Sequence, residues 1–292
     1  MKRKLQAFDV VSILIMIILS IIMLFPFWYS VVGSLNEGTD YLRGGVYLFP
    51  RVFTLSNYRA VFQDSNIIGA FQITVIKSLL GTLSSLLVTS LASYALSRPE
   101  LRGKKFYIPY FMLTMYFGGG LIPSFILIKN LKLYDNFLVY ILPGLFSVWN
   151  MIIIRTNFSE LPYGVIESAK LDGAGEYRIF FQIVVPLSKA VLAAVILFSV
   201  VGHWNSYFDS LMYTSSRSLQ TLQLYLRRVI TEPGTMNAMG SQAAEIPEIA
   251  KKTQPQTIKL AAMVVTALPI ICIYPFLQKY FVKGVMVGSI KG

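Results

Sequence analysis

The stretch VVSILIMIILSIIMLFPFWYSVV, from Val10 to Val32, holds no charged residue, over more than the roughly 20 residues a helix needs to cross about 30 Å of hydrocarbon. Lipid offers no water to backbone N–H and C=O groups, so a run of this kind folds as a helix. Comparable runs follow at Ile73 to Ser97, Phe106 to Ile128, Asn136 to Ile154, Ala190 to Tyr213 and Leu260 to Gln278. The chain is 55% hydrophobic and 14% charged, with a mean hydropathy of +0.60, too apolar for a soluble domain. The expected fold class is all-α: a polytopic membrane protein with six transmembrane helices, residues 1–292 forming one transmembrane domain.

The formal charge of +12 does not point to nucleic acid, because no basic helix or aromatic-basic module stands apart from the spans. Lys2, Arg3 and Lys4 precede the first span, and Arg98, Arg102, Lys104 and Lys105 fill the short loop after the second. By the positive-inside rule both clusters place the N-terminus in the cytoplasm, and six crossings return the C-terminus there. Basic residues in the outer loops, such as Arg51 and Arg227, make this assignment less than unanimous. The first apolar run is too long for a signal-peptide core and is expected to stay as an uncleaved span. Cys272 is the only cysteine, so no disulfide or cysteine-based metal site forms within one chain.

Two outer segments are expected, 34–72 and 214–257. The first, with GTDYLRGGVYLFP and LSNYRAVF, has the Gly, Pro, Asn and aromatic content of a folded cap. The second opens with an amphipathic pattern at LQLYLRRVI and then turns at Pro233-Gly234. Within the third run, Gly118, Gly119, Gly120 and Pro123 weaken a helix, each glycine by about 1 kcal/mol and proline by about 3. The break reads either as a packing kink or as a segment opened beside a water-filled path.

Between the fourth and fifth runs, residues 155–189 cannot be buried. Glu160, Glu167, Lys170, Asp172, Glu176 and Arg178 would each cost about 2.5–3.5 kcal/mol at the bilayer centre. The segment is therefore a cytoplasmic excursion. Ser159 is expected to cap a helix carrying Leu161, Val165 and Ala169, Asp172-Gly173 to break it, and Ile179, Phe180, Ile183 and Val184 to form the apolar face of a second helix ending at Pro186.

Glu167-Ser168-Ala169, then Gly173 three residues on, then Ile183-Val184-Val185-Pro186 resembles the EAA motif of importer-type ABC transporter permeases. Ser168 stands where alanine is usual and Val185 where leucine is usual. VGHWNSYFDSL, from Val201 to Leu211, resembles the WN-containing segment of carbohydrate-uptake permeases. YFGGGLIPSFILIKNLKLYDN, from Tyr116 to Asn136, is similar to their oligosaccharide and polysaccharide branch. The resemblance implies a type I importer permease fold, with Glu167, Ser168, Ala169, Asp172, Gly173 and Ala174 coupling the chain to a cytoplasmic ATPase dimer. It further implies a second, related permease subunit, an extracytoplasmic solute-binding protein contacting 214–257, a carbohydrate solute, and a place in a bacterial cell membrane. No GxxxxGK[ST] loop occurs, so ATP and Mg are expected on the partner ATPase, and this chain is expected to be no enzyme and to bind no cofactor or metal.

Gly119, Gly120, His203, Trp204, Asn205, Tyr207 and Tyr213 are the candidates for the solute path. His203, the only histidine, reads either as a packing residue or as a polar contact on that path. Lys77 is expected to snorkel to the interface and Asp209 to reach interfacial water. The alternative function is an ion- or proton-coupled carrier of a small polar solute, which would need more intramembrane charge.

Overall fold

The computed structural model describes residues 7–232, 249 and 252–289, with 7, 274 and 276–289 as backbone only. Its helices in chain order are α1 (Ala7–Ser34), α2 (Gly38–Tyr41), α3 (Ser56–Gln63), α4 (Ser65–Ser97), α5 (Lys104–Tyr116), α6 (Leu121–Asn130), α7 (Val148–Ser159), α8 (Tyr163–Leu171), α9 (Glu176–Leu187), α10 (Lys189–Asn205), α11 (Phe208–Tyr213), α12 (Leu222–Thr231) and α13 (Pro255–Ser289). Two 3-10 turns, at Phe137–Tyr140 and Arg217–Leu219, and one antiparallel bridge between Asn36 and Phe53 complete the regular structure among the described residues. Phe8–Ser34, Ser65–Ser97 and Pro255–Ile273 are each long and apolar enough to cross a membrane.

The remaining expected spans are interrupted. The third bends by 109° between α5 and α6. Gly120 lies at the start of α6 with φ 84° and ψ −179°, a region open essentially to glycine alone. The fourth, expected as a continuous helix over Asn136 to Ile154, is a 3-10 turn, an irregular stretch containing Pro143 and Gly144, and then α7. α7 has 12 residues, about 18 Å of helix, which is short of the hydrocarbon thickness. The fifth parts at Ser206, between α10 and α11, and α10 also meets α9 at an angle of 84°.

The chain divides into two compact units, residues 1–68 with 225–268 and residues 69–224 with 269–292. In the first, the segment after α1 is the folded cap expected of it. Asn57 is fully buried; its Nδ2 donates to the carbonyls of Ser34 (2.8 Å) and Asn36 (2.9 Å), and its Oδ1 accepts from Thr257 Oγ1 (2.8 Å). One side chain thus ties the exit of α1, the cap and the start of α13. Asn36 in turn donates to Asp40 (2.9 Å), which pairs with Arg51 (3.2 Å). Tyr225 donates to Asp64 (2.7 Å).

In the second unit α4 is the pillar. Thr74, Ser78, Thr82, Ser85, Thr89, Ser93 and Ser97 recur at three- or four-residue steps and are all buried, a stripe of small residues that lets neighbouring backbones approach. Ser78 and Thr82 make no side-chain hydrogen bond among the described residues, so small size is their contribution there. One core gathers Tyr94, Ile154, Phe158, Ile166, Ile179, Phe180 and Val184, and a second gathers Ile128, Leu133, Val139, Tyr140 and Tyr213. Within α9 the helix widens to a π-turn at Phe180–Val184, where the Val185 N–H bonds to the Phe180 carbonyl. Pro186 has no N–H for the Gln182 carbonyl and its ring crowds that group; the wider turn accommodates both.

Asn57→Ala leaves two buried carbonyls without their side-chain donor, each worth about 1–3 kcal/mol, while the Thr257 hydroxyl keeps the Gln254 carbonyl (3.0 Å). Thermal unfolding in detergent is expected to show a clear loss of stability for Asn57→Ala, and a much smaller one for Asn66→Ala, whose amide bonds to the nearby Asp64.

Candidate coupling site

The polar excursion forms a rigid elbow. Ser159, expected as its N-cap, is instead the last residue of α7, and α8 begins at Tyr163 directly after Pro162. Proline drives the preceding residue, Leu161, away from helical backbone angles, which moves the start of the helix past it. At the other end Asp172 follows the last helical residue and Gly173 takes φ +78°. The Ala174 N–H bonds to the Ala169 carbonyl (2.9 Å) and the Gly173 N–H to the Lys170 carbonyl (3.0 Å). This pair of bonds is a Schellman motif, which closes a helix through one left-handed residue. Ala169 and Ala174 pack against the core that contains Ile166, Ile179 and Phe180, so they anchor the elbow from beneath.

Glu167, Ser168 and Asp172 are exposed. Leu171 is 85% exposed and Tyr177 77% exposed, so large apolar side chains stand outward on a segment otherwise polar. Sequence periodicity passes over both, since neither belongs to the buried set; the available signal was a leucine immediately before an Asp-Gly turn.

A brace, equally unforeseen, joins the elbow to the end of α4. Tyr94 donates its hydroxyl to Glu176 Oε2, Lys170 Nζ lies 3.0 Å from Glu176 Oε1 and 3.3 Å from Glu100 Oε1, and Tyr163 donates to Glu100 Oε1 (2.8 Å). Glu100's carboxyl is held below its usual range by its own backbone N–H, then by the Tyr163 hydroxyl and by Lys170. Lys170 is pushed up, first by its bond to Glu176. The side chains are a third to a half exposed, so each pair alone contributes little and the network has its effect as a set.

The solute-path candidates differ in burial. Trp204 is buried edge-on against Phe71, with ring centroids 6.0 Å apart, and Tyr213 is buried beside Phe125 at 6.3 Å. Both are core side chains in this chain. His203 lies against α4, where a Cβ on Gly81 would sit 2.6 Å from its Cε1, which favours the packing role. Asn205 accepts from Gln223 (3.3 Å) and is exposed, as are Tyr207, Gly119 and Gly120.

Lys77 does not snorkel. It is fully buried, with Nζ 3.2 Å from the Ser206 carbonyl, 3.7 Å from Asp209 Oδ2 and 4.8 Å from the centre of the Tyr140 ring. The Ser206 carbonyl is freed where α10 ends, and a cation inside the fold gains more from it and from Asp209 than from stretching to water. Asp209, expected in interfacial water, is drawn to Lys77 and to Ser206 Oγ (2.7 Å). No group of three or more metal-ligating side chains occurs among the described residues.

The model of the family "Binding-protein-dependent transport system inner membrane component" matches residues 105–287. Protein LplC of Bacillus subtilis (strain 168) is 35% identical over 98% of this chain and 96% of its own length. The polygalacturonan/rhamnogalacturonan transport system permease protein YtcP of the same organism is 34% identical over the whole of both chains. Among solved structures, a chain of a bacterial ABC transporter involved in the import of the acidic polysaccharide alginate superposes with a TM-score of 0.87 at 28% identity, covering 94% of this chain and 96% of its own.

Gly173→Ala places a Cβ at a left-handed position at a cost of about 1 kcal/mol, whereas Gly173→Asn costs less. Hydrogen exchange at the Ala174 amide is expected to speed about fivefold in the alanine variant and less in the asparagine one. The carboxylate side of the brace is fully present above the ordinary glutamate range and is lost as pH falls through Glu100's lowered pKa. Amide protection across α8, corrected for intrinsic exchange, should therefore hold level from neutral pH down to that range and fall only below it.

Proposed function

We propose, from the premise that this chain belongs to the family of binding-protein-dependent transport system inner membrane components, that it forms one half of the path of an ATP-driven oligosaccharide importer. A chain of this family is a membrane permease and not itself an enzyme. In this reading the elbow from α8 to α9 is the handle on which a separate ATPase pair acts.

The observation that carries the reading is the elbow's construction. Glu167 and Leu171 stand outward on a helix whose end is closed by a Schellman turn and whose base is packed into the core. A carboxylate beside a bare leucine suits a partner cleft with one basic and one apolar wall, and a fixed base lets push become rotation of the helices behind it. ATP and Mg sit on the partner. ATP binding closes the ATPase pair, the elbow moves with it, the path turns from inward-facing to outward-facing, and hydrolysis resets it.

Orientation follows: the elbow lies in the cytoplasm, as do the two termini, and 34–72 and 214–257 lie outside. The outer segment 214–257 meets the solute-binding protein. Its first part includes α12, while residues 233–248 lie outside the described residues. α1 has none of its apolar window buried within this chain and α5 has no buried residue. Such faces support lipid on one side and a second, related permease on the other. The oligosaccharide assignment draws on relatives whose names refer to polygalacturonan and alginate, both chains of acidic sugars, so uronate oligosaccharides are the first solutes to try.

The test uses the complete transporter in proteoliposomes with its binding protein and a panel of neutral and uronate oligosaccharides. A uronate oligosaccharide is expected to raise ATP hydrolysis and to enter the vesicles, and Glu167→Lys is expected to abolish both while the chain still inserts. Uptake driven by an ion gradient without ATP, or full stimulation by the Glu167→Lys transporter, would refute the assignment.

A further inference from the structure

Beside the brace lies a cavity of about 540 Å³ whose walls are mostly carbon, from Leu91, Ala95, Leu101 and Phe180. Its one unsatisfied polar group is Arg98. The residue is 9% exposed, and its guanidinium lies 4.0 Å over the Tyr94 ring. Nε and Nη2 are shielded from water and have no hydrogen-bond partner among the described residues. Glu100 and Glu176, which line the same cavity, are already held by Lys170. Tyr94 and the Glu176 carboxylate act on its charge, but the two N–H groups stay unmet, and buried guanidinium donors left open are costly unless an acceptor arrives.

The surroundings say which kind of acceptor. A second cavity, of about 730 Å³, shares Leu101 and is lined by Lys104 and Lys105. Between residues 98 and 105 the chain carries Arg98, Arg102, Lys104 and Lys105 against the single carboxylate of Glu100. These groups follow the last residue of a helix long and apolar enough to cross a membrane, where the proposed orientation puts the lipid headgroups. A small soluble anion has no use for walls of leucine and phenylalanine. A partner's carboxylate would gain nothing from the apolar side of the cavity. An anionic phospholipid uses both features, with its phosphate on the cation and its chains along the carbon surface.

We propose that this cavity is a binding site for an anionic phospholipid of the leaflet on the elbow's side, with the lipid phosphate accepting from Arg98. A lipid seated there lies against Tyr94 and Glu176, so its presence stiffens the elbow and makes ATP-driven transport depend on acidic lipid. The inference rests on the proposed orientation of the elbow.

The experiment takes the complete transporter in nanodiscs of phosphatidylcholine, alone or mixed in equal parts with phosphatidylglycerol. The lipid retained after detergent exchange is read by native mass spectrometry, and ATP-driven uptake is read in vesicles of the same compositions. Wild-type protein is expected to retain phosphatidylglycerol over phosphatidylcholine by about tenfold or more, the size of a charge-assisted hydrogen bond. Arg98→Gln is expected to lose that preference and the stimulation of uptake, with its rate in phosphatidylcholine unchanged; Arg98→Lys is expected to keep part of both. Equal retention of the two lipids by wild type, an unchanged preference in Arg98→Gln, or displacement of phosphatidylglycerol by inorganic phosphate would each overturn the lipid site. If Arg98→Gln instead releases the ATPase with lipid retention intact, the cavity belongs to a protein carboxylate. Orientation is tested apart from this, with Arg102→Cys in a Cys272→Ala background. Labelling by an impermeant reagent from outside intact cells sinks the orientation; protection from it, together with an unaltered lipid preference in Arg98→Gln, sinks the lipid site alone.

Discussion

A helix that breaks inside hydrocarbon frees backbone groups, and each of them must find a partner within the protein. This chain breaks repeatedly, and α4 supplies many of the partners. The Lys77 ammonium takes the Ser206 carbonyl where α10 ends, and Thr89 Oγ1 accepts from the Ser147 N–H ahead of α7 (3.4 Å); beyond the spans, Thr74 Oγ1 accepts from the first N–H of α12 (2.8 Å). Ser93 donates to the Met151 carbonyl (3.1 Å). An unbroken helix with a polar stripe is thus what permits its neighbours to be broken. Breaks in turn are what allow a membrane protein to present loosened backbone to a passing solute.

The elbow illustrates the complementary need for stiffness. Its helix is closed by two bonds through one glycine, its underside is two alanines against a core, and its flank is tied to α4 through Tyr94, Glu176, Lys170, Glu100 and Tyr163. None of these contacts is strong alone. Together they leave the elbow few ways to flex without carrying α4 and α9 along. The residues offered outward, Glu167, Leu171 and Tyr177, are those that the brace and the core do not use.

Much of the motif was legible beforehand. Gly173 was expected to break the helix and does, for the reason that only a residue without Cβ takes that backbone angle cheaply. Of the apolar face expected from Ile179, Phe180, Ile183 and Val184, all but the half-buried Ile183 are buried. What misled was local reading where a neighbour decides. Ser159 has the chemistry of a cap, but Pro162 sets where α8 starts. Lys77 has the length to snorkel, but a freed carbonyl and a carboxylate lie nearer than water. Trp204 and Tyr213, offered for a solute path, are buried in this chain beside the rings of Phe71 and Phe125.

From its sequence alone, this protein was bound to be helical and to lie in a membrane, since charge-free runs of span length leave the backbone no other way to satisfy itself. The same reading required the charged stretch from Glu160 to Arg178 to stand outside the hydrocarbon, because burying it costs more than any fold returns. Only tertiary structure decided which breaks interrupt the spans, which polar side chains close them, and that Arg98 lies over a tyrosine ring with its Nε and Nη2 lacking an acceptor among the described residues. Those outcomes depend on atoms brought together across scores of residues, and a pattern read along the chain holds no term for them.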